Sequence, residues 1–162
     1  MRKEEIRKRG GDHIKQIVLI SHGTMAEGMY KAAGMVFGNL PEVCCLCLSE
    51  DKDIRVFRRE LGDILGRLNQ EEPVAVLCDI GGGSPYNTAL ELLDEMGYME
   101  KASVVSGMNL PLLIVLLMAS DVGRDTVKSC VAEAGGSIRL FESWRNGNGA
   151  DAGEGAEEEE EL

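Results

Sequence analysis

Two residues with chemically useful side chains each follow directly on a short apolar run. His22 comes after Ile-Val-Leu-Ile-Ser, and Asp79 comes after Val-Ala-Val-Leu-Cys. A carboxylate beside an imidazole can accept the proton on Nδ1, which fixes the ring tautomer and leaves the Nε2 lone pair facing outward. A ring held in this way can act as a nucleophile. These residue types therefore predict nucleophilic chemistry at His22, with Asp79 as the group that orients it.

A glycine-rich segment, Ile-Gly-Gly-Gly-Ser-Pro, follows Asp79. Ser84 is a suitable N-cap residue, and Pro85 suits the first position of the helix that would begin there. At such a helix N-terminus, the backbone N–H groups of Gly82, Gly83 and Ser84 can bind an anion such as phosphate, aided by the helix dipole. A histidine nucleophile, an orienting carboxylate and an anion site together predict phosphoryl transfer through a phosphohistidine.

Each of these features also has an ordinary structural interpretation when taken alone. A lone histidine in a turn is usually structural or solvated, a Gly-Gly-Gly-Ser-Pro segment is usually a flexible loop before a helix, and a lone aspartate can simply cap a turn. His13, in a polar stretch, is interpreted as a surface residue. The sequence has no G-x-x-x-x-G-K-[ST] motif, which disfavours direct use of a nucleoside triphosphate. The combination of these features at strand ends is what favours a functional site.

Short apolar runs alternate with amphipathic stretches, and this alternation predicts the elements that must position the site. The predicted strands cover residues 15–20, 42–48, 73–78 and 102–106, and the predicted helices cover residues 25–37, 54–68, 85–96, 110–119 and 126–134. This order predicts a doubly wound α/β fold, with a mostly parallel sheet and helices on both faces. Such sheets bind ligands at the carboxyl ends of their strands, near the switch point of strand order. In the order 2-1-3-4 the first and third strands are neighbours, so His22 and Asp79 would share one crevice.

Two further local patterns predict how elements begin and end. Thr24 and Glu27 have the spacing of a capping box, which predicts that the Thr24 side chain caps the first helix. Residues 137–141, Ser-Ile-Arg-Leu-Phe, alternate between polar and apolar side chains and predict an edge strand near the C-terminus.

Composition and charge divide the chain into three parts. The 162 residues are 44% hydrophobic and 28% charged, which suits one soluble domain with a sizeable core. We predict a polar leader at residues 1–14, the domain at residues 15–142, and a disordered tail at residues 143–162 that has seven acidic side chains and one basic. The net charge of −11 argues against nucleic acid as a partner, because phosphates need cations to neutralise them.

The cysteines and the apolar segments favour a cytoplasmic protein with reduced thiols. The five cysteines are Cys44, Cys45, Cys47, Cys78 and Cys130. The segment Cys-Cys-Leu-Cys lacks the usual C-x-x-C spacing of a zinc site, and we predict neither a metal nor a cofactor. The N-terminus is charged and has no apolar signal region, and the longest apolar run, at residues 110–119, is too short to cross a membrane.

Three segments carry a resemblance to a known family: IVLISHG, VAVLCDIGGGSPYNTA and VVSGMNLPLLIVLLMA. In order and spacing they resemble the enzyme IIA domain of the mannose/fructose/sorbose class of the bacterial phosphoenolpyruvate-dependent sugar phosphotransferase system. The resemblance covers residues 17–141. An aspartate followed by GGSPxNxA, with SGxNLPxL further on, is a specific pair of motifs, whereas SHG alone would be a weak one.

The resemblance implies roles for individual residues. The family's phosphorylated histidine matches His22, its orienting aspartate matches Asp79, and the loop that bears its phosphate donors matches Gly82, Gly83 and Ser84. Phosphate would pass from the phosphocarrier HPr to the histidine and from there to a histidine of enzyme IIB. Enzyme IIB then phosphorylates a sugar that enters through the membrane subunits IIC and IID. Those subunits choose the sugar, so it cannot be identified from this chain.

The resemblance also implies an assembly. It implies a four-stranded parallel sheet of order 2-1-3-4 and a homodimer in which residues 137–141 pair antiparallel with the edge of the partner's sheet. The chain departs from the family at Ile80 and Gly81, where bulkier or polar residues are common. This departure affects the surface that would face partner proteins and leaves the pair His22 and Asp79 unchanged. No IIB domain follows, so we expect IIB on a separate chain and this protein in the cytoplasm, peripheral to the membrane through the transporter complex.

Two other functions remain open at this point. A IIA-like domain could be a regulatory module that signals its phosphorylation state to a transcriptional activator or a kinase, and His22 would serve that role equally well. The other alternative is a phosphocarrier subunit for dihydroxyacetone kinase, although the complete GGSPYN and MNLP segments favour the sugar system.

Overall fold

The computed structural model describes residues 15–141, so the predicted leader and acidic tail lie outside the described residues. Within that range, strands alternate with helices and a 3₁₀ turn precedes the last strand. The strands are β1 (Ile17–His22), β2 (Val43–Leu48), β3 (Val74–Cys78) and β4 (Ala102–Ser106), and the helices are α1 (Met25–Phe37), α2 (Ile54–Arg67), α3 (Ser84–Glu95), α4 (Leu110–Met118) and α5 (Arg124–Gly135). All strand pairs are parallel and the order is β2-β1-β3-β4, which confirms the predicted fold class and topology.

The two central strands are apolar along almost their whole length because helices cover both faces of the sheet. The first five residues of β1 and every residue of β3 are buried. Successive side chains of β1 point to opposite faces. Ile17 and Leu19 belong to the core formed with α1, α4 and α5, whereas Val18 and Ile20 belong to the core formed with α2 and α3. The sheet is therefore the middle of three layers.

The register of the sheet places the ends of β1 and β3 at one edge. Ile20 lies opposite Cys78, the last residue of β3, so β1 runs on for two residues to end at His22. Asp79 follows directly on Cys78, so it lies at the same carboxyl end of the sheet as His22. Two residues that are 57 positions apart in the sequence thereby become neighbours.

The most apolar segment forms a buried helix, as predicted. α4 buries Leu112, Leu113, Leu116 and Leu117 in the core that it shares with α1 and α5. Its 9 residues are far fewer than the roughly 20 that a membrane span needs. None of the helices among residues 15–141 is long and apolar enough to cross a bilayer.

The first helix is capped by a different side chain from the one predicted. Thr24 precedes α1, but its backbone (φ −100°, ψ 12°) is not extended, and its side chain makes no capping hydrogen bond. Instead, Oγ of the buried Ser21 accepts a hydrogen bond of 2.8 Å from the N–H of Ala26. The capping-box prediction is therefore wrong, although the predicted start of the helix is correct.

Residues 137–141 do not form the predicted edge strand in the single chain. The segment is irregular, and Ile138, Leu140 and Phe141 are 88%, 86% and 63% exposed. A strand needs a hydrogen-bonded neighbour along its length, and this segment pairs with none of the strands in the part of the chain that the structure describes. The strand prediction is wrong for one copy of the chain, and strand exchange with a second copy stays a prediction.

A buried polar network lies at the amino ends of the strands, opposite the end that carries His22 and Asp79. Gln16, just before β1, is 7% exposed. Its Nε2 donates to the carbonyl oxygens of Asn69 and Pro73 and to the hydroxyl of Tyr98, and its Oε1 accepts from the N–H of Asn69. The Tyr98 hydroxyl lies 2.7 Å from the carbonyl oxygen of Glu72, to which it donates. The network satisfies polar groups that burial would otherwise leave without water.

We expect Tyr98→Phe to lower the free energy of unfolding by about 1–2 kcal/mol, because the variant leaves buried polar groups short of a partner. Urea denaturation followed by circular dichroism measures the change. Tyr30→Phe is the matched control, since Tyr30 is half-buried on α1 and its side chain makes no hydrogen bond within the described range. A Tyr98→Phe chain that denatures at the same urea concentration as the wild type would contradict this account of the network.

Candidate functional site

His22 and Asp79 lie in direct contact at the carboxyl edge of the sheet. The ring Nδ1 of His22 is 2.9 Å from Oδ2 of Asp79. The same Oδ2 accepts a hydrogen bond of 2.8 Å from the backbone N–H of His22, and Oδ1 accepts one of 2.8 Å from the backbone N–H of Ile80. One carboxylate therefore holds both the main chain and the ring of the histidine, and both of its oxygens have partners.

The carboxyl group of Asp79 is ionised at neutral pH. Burial opposes this charge, but hydrogen bonds from the backbone N–H of His22, from its ring and from the backbone N–H of Ile80 outweigh burial and hold the pKa of Asp79 below its usual value. An ionised carboxylate has no proton to donate, so Nδ1 of His22 supplies the proton in their hydrogen bond. The lone pair of the neutral ring is then on Nε2.

The histidine ring is accessible although the carboxylate that holds it is not. The side chain of His22 is 43% exposed, whereas that of Asp79 is 8% exposed. Because Nδ1 is engaged with the carboxylate, Nε2 is the ring nitrogen free to form a new bond. The pair thus combines a fixed tautomer with a nucleophilic atom that another molecule can reach.

The glycine-rich loop lies against the histidine ring through Gly83. A Cβ at this position would be 2.9 Å from Cε1 of His22 and 3.6 Å from its Nε2. The loop turns at Gly82, whose φ of 76° is in the left-handed region that favours glycine. The N–H of Gly83 donates a long hydrogen bond of 3.4 Å to the carbonyl oxygen of Ile80. The loop and the ring are therefore in contact, as their place at adjacent strand ends requires.

The third helix begins one residue earlier than predicted. Gly83 is its N-cap, in an extended conformation (φ −72°, ψ 168°), Ser84 is its first residue, and Pro85 follows. The prediction of Ser84 as the N-cap is wrong by one position. The N–H of Asn87 donates to the carbonyl oxygen of Gly83, whereas the N–H of Ser84 is in the first turn, where no intrahelical acceptor exists. The positive end of the α3 dipole is therefore at the loop that contacts the histidine ring.

The segment between β4 and α4 forms hydrogen bonds with the backbone of residues 78 and 79. The N–H of Gly107 donates to the carbonyl oxygen of Asp79 at 3.1 Å, and the N–H of Met108 donates to that of Cys78 at 2.9 Å. The side chain of Asn109 caps α4. The segment that follows β4 thus positions the aspartate through backbone hydrogen bonds.

Two residues that hold the segments beside His22 in place were not predicted from the sequence. Nδ2 of Asn87 donates to the carbonyl oxygen of Gly82 at 2.9 Å and so fastens the glycine-rich loop to α3. Ser21 caps α1 and so holds the turn that follows His22. An amide in the first turn of a helix and a serine beside the histidine are the available signals, but each is too common to single out one residue.

The cysteines add no second reactive group beside the aspartate. All five are free thiols. Burial, followed by the neighbouring charge of Asp79, raises the pKa of Cys78 to about 12, so this thiol is protonated at neutral pH and is a weak nucleophile. Among residues 15–141, no group of three or more His, Cys, Asp or Glu side chains is arranged to hold a metal ion.

Known proteins match the chain over the region that contains this site. A family model for the mannose type of enzyme IIA, described as the PTS system fructose IIA component, matches residues 16–134. The mannose-specific EIIAB component of the PTS from Escherichia coli K12 is 30% identical over 105 residues, which are 65% of this chain and 32% of that protein. The chain therefore spans about a third of the length of that relative. The fructose-specific EIIA component of Bacillus subtilis is 28% identical over 101 residues, which are 62% of this chain and 67% of that protein.

A solved structure shows the same fold. The PTS IIA protein associated with the fucose utilization operon of Streptococcus pneumoniae superposes with a TM-score of 0.65 and 31% identity, over 83% of this chain and 96% of that chain. The residues that the family model matches, 16–134, include both the histidine that ends β1 and the aspartate that follows β3. The chain belongs to the enzyme IIA family of the mannose/fructose class of the phosphoenolpyruvate-dependent sugar phosphotransferase system, a family of phosphotransferases.

Proposed function

We propose that the chain is a phosphocarrier that accepts a phosphoryl group on Nε2 of His22 and passes it to another protein. The observation that carries this proposal is the contact of 2.9 Å between Nδ1 and the ionised Asp79, in a ring that is 43% exposed. A fixed Nδ1–H tautomer makes Nε2 the nucleophile, and exposure lets the phosphorus of a protein donor reach it. Membership of the enzyme IIA family supports the same role.

The proposed step exchanges one P–N bond for another. The Nε2 lone pair of His22 attacks phosphorus in line with the bond to the donor imidazole. A bond between Nε2 and phosphorus forms while the donor's P–N bond breaks, and the donor nitrogen keeps the electron pair. Positive charge develops on the His22 ring, and the carboxylate of Asp79 stabilises it. Nδ1 keeps its proton throughout, and transfer to the next carrier is the same step in reverse.

The proposed phosphate site is the start of α3 with the loop before it. The N–H and hydroxyl groups of Ser84 and the N–H groups of Gly82 and Gly83 are the proposed donors to the phosphoryl oxygens. Contact between this loop and the histidine ring supports the assignment, since it brings the positive end of the helix dipole close to Nε2. The N–H of Gly83 contributes least, because it already donates to the carbonyl oxygen of Ile80.

The proposed donor is phospho-HPr, and the proposed acceptor is a histidine of enzyme IIB, which phosphorylates a sugar entering through the subunits IIC and IID. A place in this series of transfers follows from the family. The proposed location is the cytoplasm, at the inner surface of the membrane when the transporter complex forms. The accessible ring edge suits transfer between two imidazoles of different proteins, which needs positioning and charge stabilisation.

The proposed assembly is a homodimer in which residues 137–141 pair with the free edge of the partner's β4. In the described chain β4 has a neighbouring strand on one side only, and its three middle residues are half-buried. An unpaired strand edge readily accepts another strand. Pairing would also cover Ile138, Leu140 and Phe141, which one copy leaves exposed.

We expect the chain to acquire an acid-labile, base-stable phosphate when it is incubated with phosphoenolpyruvate, enzyme I and HPr. His22→Ala should abolish labelling, because the nucleophile is lost. The chain has two histidines, so His13→Ala is the matched control and should be labelled like the wild type. Radiolabelled phosphate on the purified chain measures the transfer, and its disappearance on adding enzyme IIB measures the second step. Full labelling of the His22→Ala chain would show that the proposed site is wrong.

We expect Asp79→Asn to slow phosphorylation by about 10²-fold, because small displacements of a reacting group have effects of that size. The variant should also lose about 1–3 kcal/mol in the free energy of unfolding, because its NH₂ group must face a backbone N–H. Asp63→Asn, at an exposed position of α2, is the control. Quenched-flow phosphorylation assays measure the rate of transfer, and urea denaturation measures the free energy of unfolding.

The stability difference between wild type and Asp79→Asn should depend on pH. The folded-state pKa of Asp79 is lowered, so the carboxylate stabilises the fold at neutral pH, and this contribution is lost as the pH falls below about 4 towards the folded pKa. The difference should shrink over that range in urea titrations at successive pH values. A constant difference from neutral to acid pH would contradict the assigned electrostatics.

We expect the full chain to have twice the mass of one chain in light scattering and the chain that lacks residues 137–162 to be a monomer. The reason is that residues 137–141 supply the strand that joins two copies. Removal of residues 143–162 alone is the control and should leave the dimer intact. A monomeric full chain, or a dimer that persists without residues 137–162, would rule out this assembly.

A further inference from the structure

Gly83 has a backbone conformation that does not require glycine. Its φ of −72° and ψ of 168° are extended values that any residue adopts readily. Gly82, one residue earlier, is different, because its φ of 76° lies in the left-handed region. The absence of a side chain at position 83 therefore needs an explanation other than turn geometry.

The space beside Gly83 supplies that explanation. A Cβ at this position would lie 2.9 Å from Cε1 of His22, which is closer than Cβ atoms come to other heavy atoms in proteins. The opposite side of the same loop is also closely packed, since a Cβ at Gly81 would lie 3.1 Å from Oγ of Ser106 at the end of β4. The loop thus fills the gap between the histidine ring and the end of β4.

The loop is less free to move than the ring. Asn87 fastens it to α3 twice, because its Nδ2 donates to the carbonyl oxygen of Gly82 and its N–H donates to that of Gly83, both at 2.9 Å. A Cβ at Gly83 would also come within 3.4 Å of the carbonyl oxygen of Ile80. The His22 side chain, by contrast, is 43% exposed and can swing outward.

A hydrogen bond and the space beside Gly83 both bear on the orientation of the His22 ring. The hydrogen bond from Nδ1 to Asp79 holds one ring atom. Rotation of a histidine ring about its last side-chain bond has broad energy minima, so one hydrogen bond leaves the tilt of the ring loosely defined. The place that a Cβ of Gly83 would occupy is 2.9 Å from the adjacent atom, Cε1, so a side chain at position 83 would overlap the ring in this orientation.

We propose that Gly83 is a positioning residue for phosphoryl transfer, whose lack of a side chain leaves room for the His22 ring to stay on Asp79 with Nε2 at the mouth of the proposed phosphate site. This inference rests on the proposed function. The role acts through the histidine and is separate from any hydrogen bond that the N–H of Gly83 gives to phosphate. A methyl group at position 83 would push the ring outward, lengthen the contact between Nδ1 and Asp79, and weaken the preference for the Nδ1–H tautomer.

The test compares Gly83→Ala with Gly82→Ala in the full chain. Gly82→Ala is the matched control, because it strains the same turn while its Cβ would meet nothing within 4 Å. Nitrogen NMR of the imidazoles reports which ring nitrogen of His22 carries the proton. Only one other histidine is present, so a His13→Ala chain assigns the signals. Circular dichroism and thermal unfolding establish that each variant is folded.

We expect the wild type and Gly82→Ala to show the Nδ1–H tautomer and Gly83→Ala to show a mixture of both tautomers. Phosphorylation by phospho-HPr should be about 10- to 100-fold slower in Gly83→Ala. The comparison with Gly82→Ala uses the tautomer alone, because Gly82 belongs to the proposed phosphate site. A wild-type tautomer in folded Gly83→Ala overturns the proposal, and so does an equal loss of tautomer preference in both variants. Failure of Gly83→Ala to fold would also contradict it, because the proposed contact is with an exposed, movable ring.

The tautomer measurement separates this inference from the proposed function. A chain that phospho-HPr never labels, but whose ring changes tautomer in Gly83→Ala, would refute the carrier role and retain the steric role of Gly83. A chain that is labelled on His22 at the wild-type rate in Gly83→Ala would retain the carrier role and refute the positioning role.

Discussion

The carboxylate of Asp79 is the group on which the site depends. Its Oδ2 holds both the backbone and the ring of His22, its Oδ1 holds the start of the glycine-rich loop, and its carbonyl oxygen accepts from Gly107 after β4. Burial makes a negative charge costly there, and the converging N–H donors offset that cost. A largely buried anion that is solvated by protein groups can orient a ring that itself remains exposed to solvent.

The parallel sheet makes this arrangement possible. β1 and β3 are central strands with helices on both faces, so their carboxyl ends are held rigidly side by side. The segments that leave those ends then supply the chemistry, as is usual when loops are carried on a rigid scaffold. The three consecutive glycines of one such segment differ in their surroundings: Gly82 makes a left-handed turn, while Gly81 and Gly83 approach other side chains closely.

The sequence predicted the strands and helices to within about two residues because their signals are local. The pattern of apolar residues depends on which faces of a helix or strand are covered by the rest of the protein. A strand that is covered on both faces is apolar along its whole length, whichever strands lie beside it. Predictions that depended on atomic geometry or on a partner were less successful. Thr24 does not cap α1 because its backbone is not extended, Ser84 is inside α3, and residues 137–141 have the alternation of a strand without a neighbour in the single chain.

The sequence by itself determined the order of strands and helices and placed a histidine, an aspartate and a glycine-rich segment at strand ends. Only the tertiary structure decided that one carboxylate oxygen serves both the backbone and the ring of His22, that Ser21 and Asn87 fasten the adjoining turns, and that position 83 lies against the ring. The physical reason is that periodicity and residue chemistry are properties of short segments. Contacts between residues 57 positions apart depend instead on sheet register and on how the loops pack at its edge.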